Sequence, residues 1–181
     1  MAAKRRTAST VEELIAAEDW TGARRKLQAE LRESPGSHWL MSRLALTYYE
    51  QRNYRSALDL EKRALRIAPR CPLSLWGLAG AHDMLGRKTE ATALYMQLIR
   101  RGVQRLAHGD CGEGVPWARG LVADCWYRVG AIRDDQGDVH GATVAFQRHL
   151  QHRRRGSSIY SVRDVRAKLR ALAARAKQRQ P

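Results

Sequence analysis

Apolar residues recur along most of the chain at helical spacing, and small residues take the same places in successive segments. The clearest segment is 39–69, WLMSRLALTYYEQRNYRSALDLEKRALRIAP, in which two helical patterns meet at a turn near Asn53. Its alanines stand where two paired helices would touch. The pattern predicts helices at about 9–18, 22–33, 38–51, 54–67, 72–85, 89–107, 116–135, 139–153 and 159–178.

A fixed period of 34 residues relates these segments to one another. Ala23, Ala57 and Ala91 are each 34 residues apart, and the next matching alanine, Ala142, follows after 51 residues. The longer interval equals one period with an insertion of 17 residues. A helix pair of this length has an apolar face that it cannot bury alone. The period therefore predicts a stacked array in which neighbouring pairs share a core.

The recurring positions resemble those of the tetratricopeptide repeat family. The three best segments carry the resemblance on Leu44, Ala45, Tyr48, Tyr54, Ala57, Ala64 and Pro69, on Leu78, Ala79, Gly86, Ala91 and Tyr95, and on Val129, Gly130, Gly137, Ala142 and Phe146. It implies an all-α fold, a right-handed α-solenoid of about four helix-turn-helix (tetratricopeptide-like) units plus a C-terminal capping helix. Two positions depart from the pattern: Glu61 replaces a bulky apolar residue and His149 a small one.

The predicted organisation has three parts. A flexible basic amino terminus at 1–8 precedes the repeat array at 9–156, and a basic C-terminal capping helix and tail follow at 157–181. Within the array we expect units at about 9–36, 37–70, 71–107 and 116–156, with a projecting loop at 108–115.

The loop at 108–115 is expected to be a structural connection. Its glycines suit a tight turn. His108, Asp110, Cys111 and Glu113 offer donor atoms, but their spacing is not typical of a zinc site. We therefore predict no metal and no cofactor.

Composition and motifs exclude several classes of protein. No apolar run is long enough to cross a membrane, and no secretory signal follows the basic start. Three cysteines without framework spacing indicate reduced thiols and a cytoplasmic location. No nucleophile elbow, phosphate-binding loop or zinc-protease motif occurs, so we do not expect an enzyme.

Charge raises a second possible function. The net charge is +15, and residues 148–181 hold 11 basic side chains against one acid, Asp164. Such a cluster can bind nucleic acid or another polyanion. The candidate residues for this alternative are Arg153, Arg154, Arg155, Arg163, Arg166 and Arg170. Tyr160 is the only aromatic residue of the tail, whereas a stacking platform for bases usually needs several, so protein binding is favoured.

The family resemblance also implies where a partner would bind, because the first helix of each pair lines a concave groove. The predicted groove residues are Trp39, Ser42, Leu46, Tyr49, Leu73, Trp76, Asp83, Met84, Asp124, Tyr127 and Asp134. Each aromatic residue could instead pack between helices. Jointly they favour a scaffold or adaptor that binds a peptide or protein segment carrying apolar and basic residues. Self-association through the weaker first unit, around Ile15 and Trp20, is a further possibility.

Overall fold

The computed structural model describes residues 10–153 and 158–178, and these residues form helices and turns without any strand. They divide into an amino-terminal unit, Met1–Arg87, and a carboxy-terminal unit, Lys88–Pro181. The predicted segment 1–8 lies outside the described residues. Each predicted helix begins and ends within three residues of an observed one, which confirms the all-α assignment.

Over its described residues, 10–87, the amino-terminal unit contains five helices. In chain order they are α1 (10–16), α2 (Trp20–Glu33), α3 (His38–Glu50), α4 (Tyr54–Ile67) and α5 (Pro72–Met84). Helix α3 packs against α2, α4 and α5, so each helix hairpin contacts the next. The described part of the carboxy-terminal unit contains four helices, α6 (Lys88–His108), α7 (Val115–Asp135), α8 (Val139–Arg153) and α9 (Val162–Gln178). Here α7 packs against α6 and α8, and α9 packs against α8.

One turn geometry recurs where the first helix of each pair ends. The residues with positive φ at these turns are Glu18, Arg52, Gly86 and Gly137, at 56°, 60°, 77° and 77°. They keep the spacing of the alanines, 34, 34 and 51 residues. The residue after each one donates its N–H to a carbonyl five residues earlier, at 2.9–3.0 Å. This is the hydrogen bond of a Schellman motif, and it ends the helix.

The residues that follow these turns start the next helices. The carboxylates of Asp19 and Asp138 and the amide of Asn53 each accept a bond from the backbone N–H three residues on, at 2.8, 2.8 and 3.2 Å respectively. Such caps satisfy N–H groups that have no partner within the helix. The equivalent Arg87 has no side-chain acceptor to offer. The periodic turn in the sequence therefore serves both as a stop and as a start signal.

Small residues allow the paired helices to approach closely. The period alanines Ala23, Ala57, Ala91 and Ala142 are all no more than 2% exposed. Gly130 on α7 shows this for the last pair, because a methyl group built there would lie 3.0 Å from the ring of Phe146 on α8. His149, one of the two departures, is also fully buried on α8, and its Nδ1 donates to the Ala123 carbonyl of α7 at 2.8 Å. A hydrogen bond thus accommodates the larger side chain.

Helix α6, which carries part of the insertion, differs from the prediction. We predicted an overlong continuous helix at 89–107, but α6 is interrupted at Gly102, whose φ of 74° and ψ of 158° are not helical. Glycine adopts such angles at little cost because it has no Cβ. The residues on either side remain helical, and α7 is continuous as predicted.

Helix α9 occupies the position expected of a cap. Its only buried side chains are Val165 and Leu172, which join Ala142 and Phe146 of α8 in one cluster. Its remaining residues are exposed or partly exposed and rich in arginine, lysine and alanine. Helix α9 therefore covers the apolar side of the last pair with a charged outer face.

We expect the substitution Gly130→Val to destabilise the carboxy-terminal unit by about 1–3 kcal/mol, because the added methyl groups overlap the buried Phe146 ring. Gly36→Val is the matched control, since nothing lies within 4 Å of a Cβ at that position. Urea unfolding followed by circular dichroism measures both. Equal stability of the two variants would contradict the close approach of α7 and α8.

Candidate functional site

Eight of the predicted groove residues lie in the amino-terminal unit, on α3 and α5. We call this set the α3–α5 face, and it consists of Trp39, Ser42, Leu46, Tyr49, Leu73, Trp76, Asp83 and Met84. Six of them are half-buried, whereas Asp83 is buried and Met84 is 44% exposed. The face is therefore partly accessible and rich in aromatic and aliphatic side chains.

Contacts within the face hold two aromatic residues in place. The Tyr49 ring lies beside Gly80 of α5, where a Cβ would come within 3.4 Å of it, and it also packs edge-on against Tyr54 at 5.3 Å. The Arg43 guanidinium lies 5.5 Å from the centre of the Trp39 ring and forms an ion pair with Glu12 at 2.8 Å. These contacts make the face pre-ordered, which reduces the entropy lost on binding.

A buried polar cluster lies beneath the face. Glu61 of α4 is only 4% exposed, and its Oε2 accepts a hydrogen bond from Ser42 Oγ at 2.8 Å. Ser42 Oγ is also 2.6 Å from Ser74 Oγ of α5, so the cluster joins three helices. The Glu61 carboxyl lies against Gly77, where a Cβ would come within 2.1 Å of Oε1. Glycine at position 77 leaves the space that the carboxyl occupies.

Burial raises the pKa of the Glu61 carboxyl from 4.5 to about 8. Hydrogen bonds from Ser42 and Ser74 and the positive charge of Arg43 act in the opposite direction, but desolvation is the larger effect. The carboxyl is therefore mostly protonated at neutral pH. In that form it also offers a donor to the cluster.

The remaining predicted groove residues lie on α7, and each contacts the C-terminal part of the chain. Asp124 is 8% exposed, and its carboxylate accepts hydrogen bonds from the Ser158 hydroxyl and from the Ile159 N–H. Tyr127 is stacked on Tyr160, with ring centres 3.5 Å apart and planes inclined by 11°. Asp134 is paired with Arg175 of α9. We call Asp124, Tyr127 and Asp134 the α7 surface.

Burial shifts the pKa values of the ionisable groups on and near the α7 surface. Burial raises the pKa of Asp124, against the effect of its hydrogen bonds with Ser158 and Ile159. Burial likewise raises the pKa of the Tyr127 hydroxyl. The nearby His149 has a pKa lowered by burial, so its imidazole is neutral at physiological pH.

The residues of the polyanion alternative lie in different surroundings. Arg153 donates from Nε to the Tyr160 carbonyl at 3.2 Å, so it supports the segment that covers α7. Arg163, Arg166 and Arg170 are exposed on α9. Arg154 and Arg155 lie outside the described residues.

The donor residues noted in the sequence lie at the end of α6 and in the loop between α6 and α7. His108, Asp110 and Glu113 are exposed, and Cys111 is partly buried with a φ of 60°. None of the three cysteines, all in the described part of the chain, forms a disulfide. Cys71 and Cys125 are buried, and burial raises the pKa of the Cys125 thiol well above its usual value.

Sequence reasoning missed the partners of the site residues. Ser74 and Gly77 carry no signal alone, because they matter only when α4 brings Glu61 against them. The departure at Glu61 was the one visible sign of a polar cluster. Tyr160 was noted only for its scarcity in the tail, and its place on Tyr127 depends on how the chain returns after α8.

Comparison with known proteins agrees with this geometry. The family model described as "Tetratricopeptide repeat" matches residues 11–69 and 42–103, together just over half of the chain. The chain therefore belongs to the tetratricopeptide repeat family. No curated protein matches it in sequence.

Several solved structures share the fold. MamA is 15% identical with a TM-score of 0.68, and the match covers 97% of this chain and 83% of MamA. A tetratricopeptide repeat protein from Parabacteroides merdae is 17% identical with a TM-score of 0.65, over 98% of this chain and 62% of that protein. The Sgt2 TPR domain from Aspergillus fumigatus is 20% identical with a TM-score of 0.57, over 78% and 80% of the two chains. At these identities the likeness shows the fold alone.

Among the described residues, no helix combines the length and the apolar character that crossing a membrane requires.

The buried Glu61 predicts a specific pH dependence. Because the carboxyl binds its proton more tightly in the folded chain than in the unfolded one, its contribution to stability is complete below pH 4.5 and is lost as the pH rises through 8. We therefore expect the free energy of unfolding of the native chain to fall relative to that of Glu61→Gln between about pH 5 and pH 9. Urea titrations at several pH values measure this difference.

Glu50→Gln, an exposed change on α3, is the control and should keep the pH dependence of the native chain. If Glu61→Gln also kept it, the carboxyl would not be the group that titrates.

Proposed function

We propose that this protein is a scaffold or adaptor whose α3–α5 face binds a peptide or protein segment. The tetratricopeptide fold generally mediates interactions between proteins, and the family is typically not enzymatic. A binding role without catalysis, in the reducing environment of the cytoplasm, fits three cysteines that form no disulfide.

The observation that carries the proposal is a group of partly accessible aromatic residues on one face. Trp39, Tyr49 and Trp76 are half-buried on α3 and α5, and Met84 of α5 is 44% exposed. Aromatic side chains held by their own neighbours and still open to solvent are frequent anchors of protein interfaces. Methionine adds a flexible apolar surface.

The ligand of this face is an extended or helical segment that is mainly apolar. The acids predicted for the far end of the groove, Asp124 and Asp134, are engaged by Ser158, Ile159 and Arg175. The acid beneath the α3–α5 face, Glu61, is mostly neutral at physiological pH. Apolar contacts are therefore the main source of affinity here.

Polyanion binding has less support. Arg153 and Arg175 make contacts within the chain. Of the arginines predicted to bind a polyanion, Arg163, Arg166 and Arg170 are described and lie exposed on α9. Binding to a random single-stranded oligonucleotide, measured at low salt and again as salt is added, tests this alternative. Binding through phosphates would weaken steeply with salt.

We expect Trp76→Ala to weaken the binding of a peptide selected from a random library on the full chain by tenfold or more, because it removes a central aromatic anchor. Ile67→Ala is the matched control, since Ile67 is a 46% exposed apolar residue on α4, outside the face. Fluorescence anisotropy gives the two dissociation constants, and circular dichroism checks that both variants stay helical. Unchanged binding by Trp76→Ala would remove the α3–α5 face as the site.

A further inference from the structure

The α7 surface is already occupied by a segment of the same chain. Ser158 and Ile159 bind Asp124, Tyr160 stacks on Tyr127, and Arg175 pairs with Asp134. Residues at both ends of one helix surface are thus matched by residues at both ends of 158–178. We call 158–178 the C-terminal segment.

The order of these contacts fixes the direction of the C-terminal segment. Its first residues lie at Asp124, in the first half of α7, and Arg175 lies at Asp134, next to the last residue of α7. Helix α9 therefore runs in the same direction as α7. A peptide ligand that used all three residues of the α7 surface would follow the same path.

The contacts of the C-terminal segment define the chemistry that the α7 surface selects. The Asp124 carboxylate accepts from a hydroxyl and a backbone N–H, which a serine or threonine and the following residue supply. The Tyr127 ring takes an aromatic ring two residues after that hydroxyl. Asp134 takes a guanidinium from the last part of a helix. These features describe a hydroxyl residue, an aromatic residue and then a basic amphipathic helix.

The attachment of the C-terminal segment is limited. Val165 and Leu172 are its only buried side chains, and Arg175 is exposed in its ion pair with Asp134. By contrast, α7 buries residues along most of its length. Segments with few buried contacts open more readily than the core of a fold.

We propose that the α7 surface is a second peptide-recognition site, that the C-terminal segment is its resident ligand, and that a partner segment with the same chemistry exchanges with it. The partner is a segment of another protein that carries a serine or threonine, an aromatic residue two positions later and a basic amphipathic helix. The proposal extends the protein-binding role to the carboxy-terminal unit and does not depend on the α3–α5 face.

The test uses the full chain and a labelled peptide with the sequence of residues 158–178, measured by fluorescence anisotropy. In the native chain the tethered copy competes at an effective concentration on the order of millimolar, so the peptide binds weakly. Tyr160→Ala removes the stacked ring from the tethered copy only. We expect it to increase the affinity for the peptide at least tenfold, and a second change, Tyr127→Ala, to abolish that gain.

Ile159→Ala is the matched control for Tyr160→Ala, because the Ile159 side chain is largely exposed and its backbone bond to Asp124 remains. A second pair of variants, Arg175→Ala and its control Arg170→Ala, changes only exposed side chains of α9. If Tyr160→Ala loses helical structure, this second pair tests the proposal by itself. If neither Tyr160→Ala nor Arg175→Ala binds the peptide more tightly than its control, α9 is a fixed cap and the proposal is wrong. Trp76→Ala should leave this binding unchanged, which separates the result from the fate of the α3–α5 face.

Discussion

The fold depends on one hydrogen-bonded turn that is used four times. At each turn a residue with positive φ lets the next N–H bond to a carbonyl five residues earlier, which closes one helix. Glycine adopts positive φ at little cost at Gly86 and Gly137, whereas Glu18 and Arg52 adopt it without that freedom. Once the turn is set, the small residues at fixed distances from it face each other across the helix pair. The regular spacing of the turns and that of the alanines therefore follow from the same geometric constraint.

That constraint explains how much the sequence could predict. Ala57, Ala91 and Ala142 repeat because helix pairs share one geometry. The apolar pattern and the period therefore predicted the helices and their stacking, and the family resemblance implied the solenoid. The break at Gly102 did not follow, since a lone glycine within a helical pattern is usually tolerated without a break. The site was less predictable because its interactions join residues far apart in the chain. Ser42 meets Glu61 only when α3 and α4 pair, and it meets Ser74 only when α5 packs against α3. Tyr127 meets Tyr160 only when the chain returns after α8.

The two units also use acidic residues in different ways. In the amino-terminal unit, Glu61 has no ion-pair partner among the described residues and shares hydrogen bonds with two serines, so burial favours its neutral form. In the carboxy-terminal unit, Asp124 receives a hydroxyl and a backbone N–H from the C-terminal segment. The first arrangement stabilises contacts among three neighbouring helices. In the second arrangement, the C-terminal segment, which is distant in sequence, covers the α7 surface.

The interruption at Gly102 has a consequence for how the 17-residue insertion is accommodated. Helix α6 has 21 residues where α2 and α4 have 14, so seven of the inserted residues, about two helical turns, lie on α6. Most of the others lengthen α7, which has 21 residues where α3 and α5 have 13. At Gly102 the chain leaves helical geometry, and the residues after it need not share the helical phase of Ala91, Tyr95 and Leu98. The far part of α6, with the buried Leu106 and Ala107, is in this sense a modular addition. Because Gly102 separates it from Ala91, Tyr95 and Leu98, the far part of α6 does not continue the helix that carries these periodic positions.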